Sequence, residues 1–331
     1  MTKAAVMGSG SWGTAFAMVL ADAGTEVVLW GKDAVLAAEI NRIHQNPAYH
    51  PGIELPRTLW ATGDAAEAMR DADFVVLAIP SQVLRPNLAR WVPLVPSGAV
   101  LVSLMKGIEL GTTKRMSEVV REVADVDSDR VAIVSGPNLA REIMQRQPAA
   151  TVVACTDETN AKRLQQACLT AYFRPYTNTD VVGTELGGAV KNVIALANGV
   201  AAGLGFGENA QASVITRGLA EMTRLGVAMG ADPLTFAGLA GLGDLVATCS
   251  SPLSRNRTFG FNLGQGMTPA EATAAMKQTC EGVKSCRPIL ELAIAHGVDM
   301  PITDAVVQAV HEVLAPREMA RMLMTRDAKS E

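Results

Sequence analysis

The chain lacks the features of a structural zinc protein, a polyanion-binding protein or a membrane-spanning protein. Its five cysteines form no C-x-x-C pair and its four histidines are scattered, so the sequence predicts no structural metal site. With 29 basic and 33 acidic residues the net charge is −4, and that balance does not indicate a nucleic-acid partner. The longest apolar run, residues 193–204, is too short to cross a bilayer. Any anion site must therefore be a local cluster of charge.

The thiols and the N-terminus together predict a cytoplasmic protein with no membrane insertion. Unpaired cysteines fit a reducing compartment. The N-terminus does resemble a signal peptide, with Lys3, an apolar stretch and a cleavage-like Ala21-Asp22-Ala23. However, glycines interrupt that stretch, and cleavage there would destroy the nucleotide-binding pattern described next. We therefore expect no export.

The first thirty residues have the order that a dinucleotide-binding βαβ unit requires. An apolar run, residues 4–7, enters the G-x-G-x-x-G turn of Gly8, Gly10 and Gly13, and a helical segment and a second β-rich run follow. The N–H groups and positive dipole end of such a helix face the phosphates of the nucleotide. An ordinary Gly-rich loop is the alternative, but the flanking strand and helix patterns favour a nucleotide site.

The chain's 331 residues are enough for two domains, and their patterns divide near residue 180. Strand-like and helix-like segments alternate before that point, which predicts a Rossmann-type doubly wound α/β domain over 1–180. Amphipathic helical patterns follow, which predict an all-α domain over 181–331 that carries substrate-binding and catalytic residues. The predicted strands are 4–7, 26–30, 58–61, 74–79, 100–103, 131–134, 151–155 and 173–176. The predicted helices are 33–44, 81–91, 113–123, 159–169, 210–229, 282–295 and 303–314, with Gly-rich loops at 203–207 and 238–243.

Six motifs spread over the chain have a common source. They are the Gly-rich turn, Ser103-Leu-Met-Lys-Gly-Ile-Glu109, Ser135-Gly-Pro137, Gly187-Gly-Ala-Val-Lys-Asn192, Gly241-Leu-Gly-Asp244 and Ser254-Arg-Asn-Arg257. In this order the chain resembles the bacterial NAD(P)-dependent sn-glycerol-3-phosphate dehydrogenase family over nearly its whole length. The resemblance implies interconversion of dihydroxyacetone phosphate and sn-glycerol 3-phosphate by hydride transfer, which supplies the backbone of phospholipids.

Reduction of a ketone needs a hydride donor, a proton donor and, here, an anchor for a phosphate. The resemblance implies that Lys191 is the catalytic acid/base, provided that burial or nearby cations lower its pKa. It also implies a substrate-binding set that comprises Lys106, Gly136, Asn138, Lys191, Asp244, Ser254, Arg255 and Asn256. The cofactor-binding set that it implies comprises Gly8, Gly10, Ser11, Trp12, Gly13, Lys32, Lys106, Ala140, Arg255, Thr279 and Glu281.

Four of these residues also have a structural interpretation. Lys191 follows three small residues and opens a long helical segment, so it can be read as a surface lysine at a helix end. Asp244 can be read as a helix N-cap, Arg255 as part of a solvated basic loop and Lys106 as a surface lysine in a turn. Asn138 stands where the family usually has Ser or Thr, and Thr279 where valine is common. The histidines show no partner, and the sequence assigns them no role.

The end of the second predicted strand bears on the choice of cofactor. NAD-selective sites place an acidic residue there to hold the ribose 2′-hydroxyl. The chain instead has Gly31, Lys32 and Asp33, in which Lys32 can meet a 2′-phosphate and Asp33 is predicted to cap a helix. We therefore expect the cofactor to be NADPH or NADH, and we infer that the site accepts the 2′-phosphate of NADPH.

Two other functions stay open at the level of sequence. One is a 3-hydroxyacid dehydrogenase of the 6-phosphogluconate or hydroxyisobutyrate type, which also joins a nucleotide domain to a helical domain with a lysine. The other is a non-catalytic NADPH sensor. The Ser254–Arg257 cluster favours a phosphorylated small-molecule substrate, and the apolar helical half favours a homodimer.

Overall fold

The computed structural model describes residues 2–276, 280–311 and 313–324. They form two compact units. The first comprises the described residues up to Met105 with Arg115–Glu185, and the second comprises Lys106–Lys114 with the described residues from Leu186 onward. The segment Lys106–Lys114 therefore belongs to the second unit, although the sequence predicts Lys106 to lie in the domain 1–180.

The first unit is built on an eight-stranded sheet with the order β3-β2-β1-β4-β5-β6-β7-β8. The order reverses between β1 and β4, and such a switch point is where doubly wound sheets bind ligands. The predicted Rossmann-type α/β architecture is confirmed. The strands are β1 Lys3–Met7, β2 Glu26–Trp30, β3 Leu59–Thr62, β4 Phe74–Leu77, β5 Val100–Ser103, β6 Val131–Ser135, β7 Ala149–Cys155 and β8 Phe173–Asn178.

The central strands read as continuous apolar runs because helices cover the sheet on both sides. Side chains of one strand alternate between the two faces of the sheet, and here they pack into two separate hydrophobic cores. Phe16, Phe74 and Phe173 lie in one core. Leu88 and Trp91 lie in the other.

One strand pair departs from a purely parallel sheet, since β6 and β7 are antiparallel, with Ala132 opposite Cys155. Periodicity predicts the burial of both strands but not their direction. A parallel crossover usually uses a full helix to carry the chain back along the sheet. The connection between β6 and β7 holds only the five-residue helix Ala140–Met144, and the chain simply turns back.

Aspartates begin several helices of the first unit. Asp33, Asp64 and Asp157 each accept a backbone N–H of the first turn, so the predicted N-cap role of Asp33 is confirmed. The predicted helix 113–123 begins late, at Met116, because Thr113 has φ of 55° and cannot be helical. The helices are α1 Ser11–Asp22, α2 Ala34–Ile43, α3 Ala65–Met69, α4 Leu84–Trp91, α5 Met116–Ala124, α6 Ala140–Met144 and α7 Glu158–Ala167.

Helices make up the second unit, as predicted. Its central helix is α8, Val181–Gly203, which starts in the first unit and is buried along almost all of its length from Leu186 to Val200. The helices that follow are α9 Glu208–Ala228, α10 Pro233–Ala237, α11 Asp244–Ser250, α12 Arg255–Gly264, α13 Pro269–Ala274, α14 Glu281–Ala295, α15 Pro301–Val310 and α16 Pro316–Met324.

Candidate active site

The second unit buries a carboxylate between two lysines. Asp244 is 1% exposed; its Oδ1 lies 2.5 Å from Lys191 Nζ, and its Oδ2 lies 2.6 Å from Lys106 Nζ. Thr248 Oγ1 also lies 2.6 Å from Lys191 Nζ. Two ammonium groups on one carboxylate leave a local positive charge, which suits an anionic substrate.

Lys191 lies in the middle of α8 and not at the start of a helix, so both the predicted position and the surface interpretation are wrong. Helix α8 begins ten residues earlier, at Val181, because Val181–Val190 continues the helical pattern. At 6% exposure, Lys191 has lost most of its hydration. That burial, opposed by Asp244 and aided by the charge of Lys106, lowers the pKa of Lys191 to about 8.

Asp244 reaches Lys191 through a close approach of two backbones. The residues 238–243, predicted as a loop, instead form a π-helical turn, Leu239–Gly243, that leads directly into α11. A Cβ at Gly187 of α8 would lie 2.4 Å from the Ala240 carbonyl oxygen, so only glycine permits this contact. Gly243 is the N-cap residue of α11 and the Asp244 side chain makes no capping bond, so the N-cap interpretation of Asp244 is wrong.

The N-termini of α12 and α14 are joined to α8 by two asparagines. Asn256 donates to Asn192 Oδ1 at 2.8 Å and accepts the Gly282 N–H at 2.9 Å. Asn192 in turn donates to the Lys106 carbonyl at 3.3 Å. The Asn256 side chain thus links α8 to the starts of α12 and α14, and its contact with the substrate stays a prediction. Its backbone N–H, in the first turn of α12, also faces outward from the helix end.

The rest of the predicted phosphate cluster surrounds the start of α12. Ser254 is the N-cap, and its Oγ accepts the Arg257 N–H at 3.2 Å. Arg255 is the first residue of α12 and is exposed. Glu281 begins α14 and is half-buried, whereas Thr279 lies outside the described residues.

In the first unit, the Gly-rich turn has the geometry that the motif predicts. Gly8 has φ of 139°, and a Cβ there would lie 2.4 Å from the Ala78 carbonyl oxygen at the end of β4. A Cβ at Gly13 would lie 1.9 Å from the Gly8 carbonyl oxygen, so α1 can pack on the sheet only with glycine there. Gly10, in contrast, faces open space: apart from its chain neighbours, no atom of the described residues would lie within 4 Å of a Cβ at that position.

A second polar loop follows β6. Asn138 Nδ2 lies 2.9 Å from Thr151 Oγ1, whose own proton goes to the Ser135 carbonyl at 3.1 Å. Thr151 must therefore accept, and the amide nitrogen of Asn138 donates to it. The buried Asn138 Oδ1 has no hydrogen-bond partner among the residues that the structure describes. That oxygen can accept a hydroxyl but not a phosphate. Gly136 lies in the same loop, and Ala140 begins α6.

Comparison with known proteins places the whole chain in one family. The family sequence model for the N-terminus of NAD-dependent glycerol-3-phosphate dehydrogenase matches residues 3–161. The family sequence model for the C-terminus matches residues 180–321. The chain is 68% identical over 329 residues to glycerol-3-phosphate dehydrogenase (NAD(P)+) of Streptomyces coelicolor, which covers 99% of this chain and 98% of that protein. It is 64% identical over 332 residues to the enzyme of that name from Thermobifida fusca, which covers 100% of this chain and 99% of that protein.

A solved structure agrees with these matches. The glycerol-3-phosphate dehydrogenase of Coxiella burnetii superimposes with a TM-score of 0.93 at 37% identity, over 98% of this chain and 99% of that one. The chain belongs to the NAD-dependent glycerol-3-phosphate dehydrogenase family. Within that family, relatives named for NAD(P)+ make this chain an NAD(P)-dependent oxidoreductase, as the sequence predicts.

The first unit fits the nicotinamide dinucleotide that the family uses. The N-cap of α1 is Gly10, which offers no side chain to the first-turn N–H groups, so these remain suited to a pyrophosphate. The buried Trp12 Nε1 has no partner within the described residues. Lys32 follows β2 and is exposed. No helix among the described residues is long and apolar enough to cross a membrane.

Sequence reasoning missed three polar residues that this family member places near the predicted ones. Thr248 lies four residues after Asp244 on α11, and that spacing could have revealed it. Asn192 could have been found as the neighbour of Lys191. The sequence indicates no partner for His50, yet its ring nitrogen lies 2.9 Å from the Ser11 carbonyl oxygen, and no sequence signal links those distant positions.

Proposed function

We propose that this chain interconverts dihydroxyacetone phosphate and sn-glycerol 3-phosphate with Lys191 as the acid/base. One observation supports the role of Lys191 above all: a lysine buried in a helix, with its pKa lowered to about 8, is hydrogen-bonded to a carboxylate shared with a second lysine. A proton donor and acceptor is most effective when its pKa lies near the working pH. A lysine with only a structural role needs no such setting.

The chain's own residues supply the proton and the electrostatic stabilisation. The bound nicotinamide supplies or accepts the hydride. In the reducing direction Lys191 Nζ donates its proton to the carbonyl oxygen as that oxygen gains charge, so ketone, hydride and proton together give the alcohol. Lys106 adds a second positive charge, and Asp244 holds both ammonium groups in place. In the oxidising direction Lys191 takes the hydroxyl proton back.

The substrate phosphate is assigned to the start of α12. Arg255 offers an exposed guanidinium, and the first-turn N–H groups of Arg255 and Asn256 point out of the helix end. The Ser254 hydroxyl can donate its proton while its oxygen caps the helix. Gly136 and Asn138 are proposed to meet the polar end of the substrate, with Asn138 Oδ1 accepting a hydroxyl.

The cofactor is assigned mainly to the Gly-rich turn and to the strand end beside it. Because no carboxylate follows β2 directly and Lys32 is exposed there, we infer that NADPH is accepted. The proposed contacts are those of Gly8, Gly10, Ser11, Trp12, Gly13, Lys32, Lys106, Ala140, Arg255, Thr279 and Glu281. In the cell we propose a cytoplasmic homodimer that supplies glycerol 3-phosphate for phospholipid synthesis.

Replacement of Lys191 tests this function. We expect Lys191→Ala to lower kcat for dihydroxyacetone phosphate by about a thousandfold, because the proton donor is lost. NADPH binding, followed by quenching of tryptophan fluorescence, should stay within about twofold of the wild type. Lys162→Ala, at an exposed lysine of α7, is the matched control and should leave both quantities unchanged.

Two results would contradict the proposal. If Lys191→Ala kept most of its turnover, Lys191 would have no part in proton transfer. If the wild type oxidised NADPH with the 3-oxo form of a 2-methyl-3-hydroxyacid and not with dihydroxyacetone phosphate, the proposed substrate would be wrong. A protein that bound NADPH without oxidising it in the presence of any of these carbonyl compounds would instead be a sensor.

A further inference from the structure

The loop after α2 holds two buried polar side chains against the Gly-rich turn of the first unit. Asn46 Nδ2 donates to the Ser9 carbonyl at 3.0 Å and to Thr14 Oγ1 at 2.8 Å. His50 Nε2 lies 2.9 Å from the Ser11 carbonyl oxygen and 3.2 Å from Ser11 Oγ. Asn46 is 0% exposed and His50 is 4% exposed. The turn is therefore held from outside by side chains that are distant in sequence.

The contacts of His50 determine which of its nitrogens carries a proton. A carbonyl oxygen can only accept, so at 2.9 Å from the Ser11 carbonyl oxygen Nε2 must be protonated and must donate. The same N–H also faces Ser11 Oγ, which can then only accept from it. As a result, the hydroxyl proton of Ser11 is not used by His50 and can be donated to another group.

That proton lies at the end of α1 where a pyrophosphate is expected. Ser11 is the first residue of α1, and its N-cap, Gly10, faces open space. A hydroxyl that is kept as a donor at a helix N-terminus is matched to an anionic acceptor. A hydroxyl free to rotate would have to lose that freedom on binding.

We infer that His50 is a positioning residue for the cofactor: its Nε2–H fixes Ser11 so that the Ser11 hydroxyl donates to a phosphate oxygen of the dinucleotide. The inference rests on the proposed contact between Ser11 and the cofactor. His50 does not touch the cofactor in this scheme and takes no part in proton transfer to the substrate. Loss of His50 should therefore weaken NADPH binding and leave the rate of the chemical step unchanged.

Three variants separate this role from simple packing. His50→Leu keeps the bulk and removes the donor, whereas His50→Gln keeps an N–H close to the position of Nε2. Ser11→Ala removes the hydroxyl. We expect His50→Leu to raise the Kd of NADPH about five- to tenfold, with kcat at saturating NADPH and the KM of the ketone unchanged. His50→Gln should restore the Kd to within about twofold of the wild type.

The double variant decides whether His50 acts through Ser11. If it does, His50→Leu with Ser11→Ala should bind NADPH no more weakly than Ser11→Ala alone. His296→Leu, at an exposed histidine in the second unit, is the control and should change nothing. If His50→Leu does not fold, as judged by its thermal melting, His50→Asn repeats the test with an amide too short to reach Ser11.

The inference is overturned if the donor-free variant keeps wild-type affinity, or if the two losses multiply in the double variant. It is also overturned if kcat falls while the Kd does not change. Because Kd is measured by fluorescence without substrate, these outcomes do not depend on which ketone is reduced. Failure of the proposed function would appear separately, as a wild type that binds NADPH but does not turn over dihydroxyacetone phosphate.

Discussion

Two buried carboxylates in the helical unit have opposite surroundings. Asp244, 1% exposed, lies between the ammonium groups of Lys106 and Lys191. Glu221, 2% exposed, lies against the start of α15, where it accepts the N–H groups of Ile302 at 2.6 Å and Thr303 at 3.2 Å. Both satisfy the rule that a buried charge needs partners, but the partners differ in kind.

The difference separates a group arranged for chemistry from a group arranged for stability. N–H groups and a helix dipole stabilise a charge without exchanging protons, so the contacts of Glu221 serve to tie α9 to α15. Ammonium groups can exchange protons, and one of them, Lys191, has its pKa lowered by burial to about 8. The partners of a buried carboxylate therefore indicate its role better than its burial does.

The largest effect is expected from removing the charge of Asp244. In Asp244→Asn the two lysines lose the carboxylate that holds them together, and their mutual repulsion displaces Lys191. We expect kcat to fall by about a hundredfold or more. The matched change in the other region, Glu221→Gln, should keep kcat within about twofold. Equal losses in the two variants, measured at the same pH, would mean that both carboxylates act on activity through stability alone.

The next largest effect is on the pH dependence of activity. Lys191, beside Asp244, should titrate in the activity profile, whereas Glu221 should not. Lys191 must be protonated to reduce the ketone and neutral to take the proton from the alcohol. With a pKa of about 8, kcat/KM for reduction should fall as the pH rises through about 8, while kcat/KM for oxidation should rise over the same range. Glu221→Gln should leave both profiles unmoved. Profiles flat between pH 6 and about 10 would exclude Lys191 as the titrating group.

The sequence predicts those features of the fold and the site that depend on residues close together along the chain. Local patterns predict all eight strands, the caps such as Asp33 and the Gly-rich turn, because each depends on neighbouring residues. The antiparallel β6–β7 pair, the π-helical turn before Asp244 and the internal use of the Asn256 side chain depend on tertiary contacts. No periodicity encodes such contacts. The resemblance to a family supplied Lys191 and Asp244, but not that Lys106 shares the carboxylate.

A smaller effect, on stability, is expected from Glu221. Burial raises its pKa from 4.5 to about 7, while the N–H groups of Ile302 and Thr303 oppose the change. The folded state therefore holds the proton more tightly than the unfolded chain does. The free energy of unfolding should fall by at most about 3 kcal/mol as the pH rises from about 4.5 to 7. Above about pH 7 it should stay level. Glu221→Gln should lack this dependence. Parallel melting curves for both proteins at pH 5 and pH 8 would contradict it.

The smallest effect comes from two threonines that occupy matching places in the two regions. The hydroxyl of Thr248 lies 3.3 Å from Asp244 Oδ1, and that of Thr303 lies 3.2 Å from Glu221 Oε2. Removing one hydrogen bond of this kind costs about 1 kcal/mol in either place. In Thr303→Val the loss should appear as a lower melting temperature with kcat unchanged. In Thr248→Val it should appear as a kcat about fivefold lower, because Thr248 also holds Lys191 Nζ at 2.6 Å. If both variants lost only stability, the distinction between the two carboxylates would not extend to the groups around them.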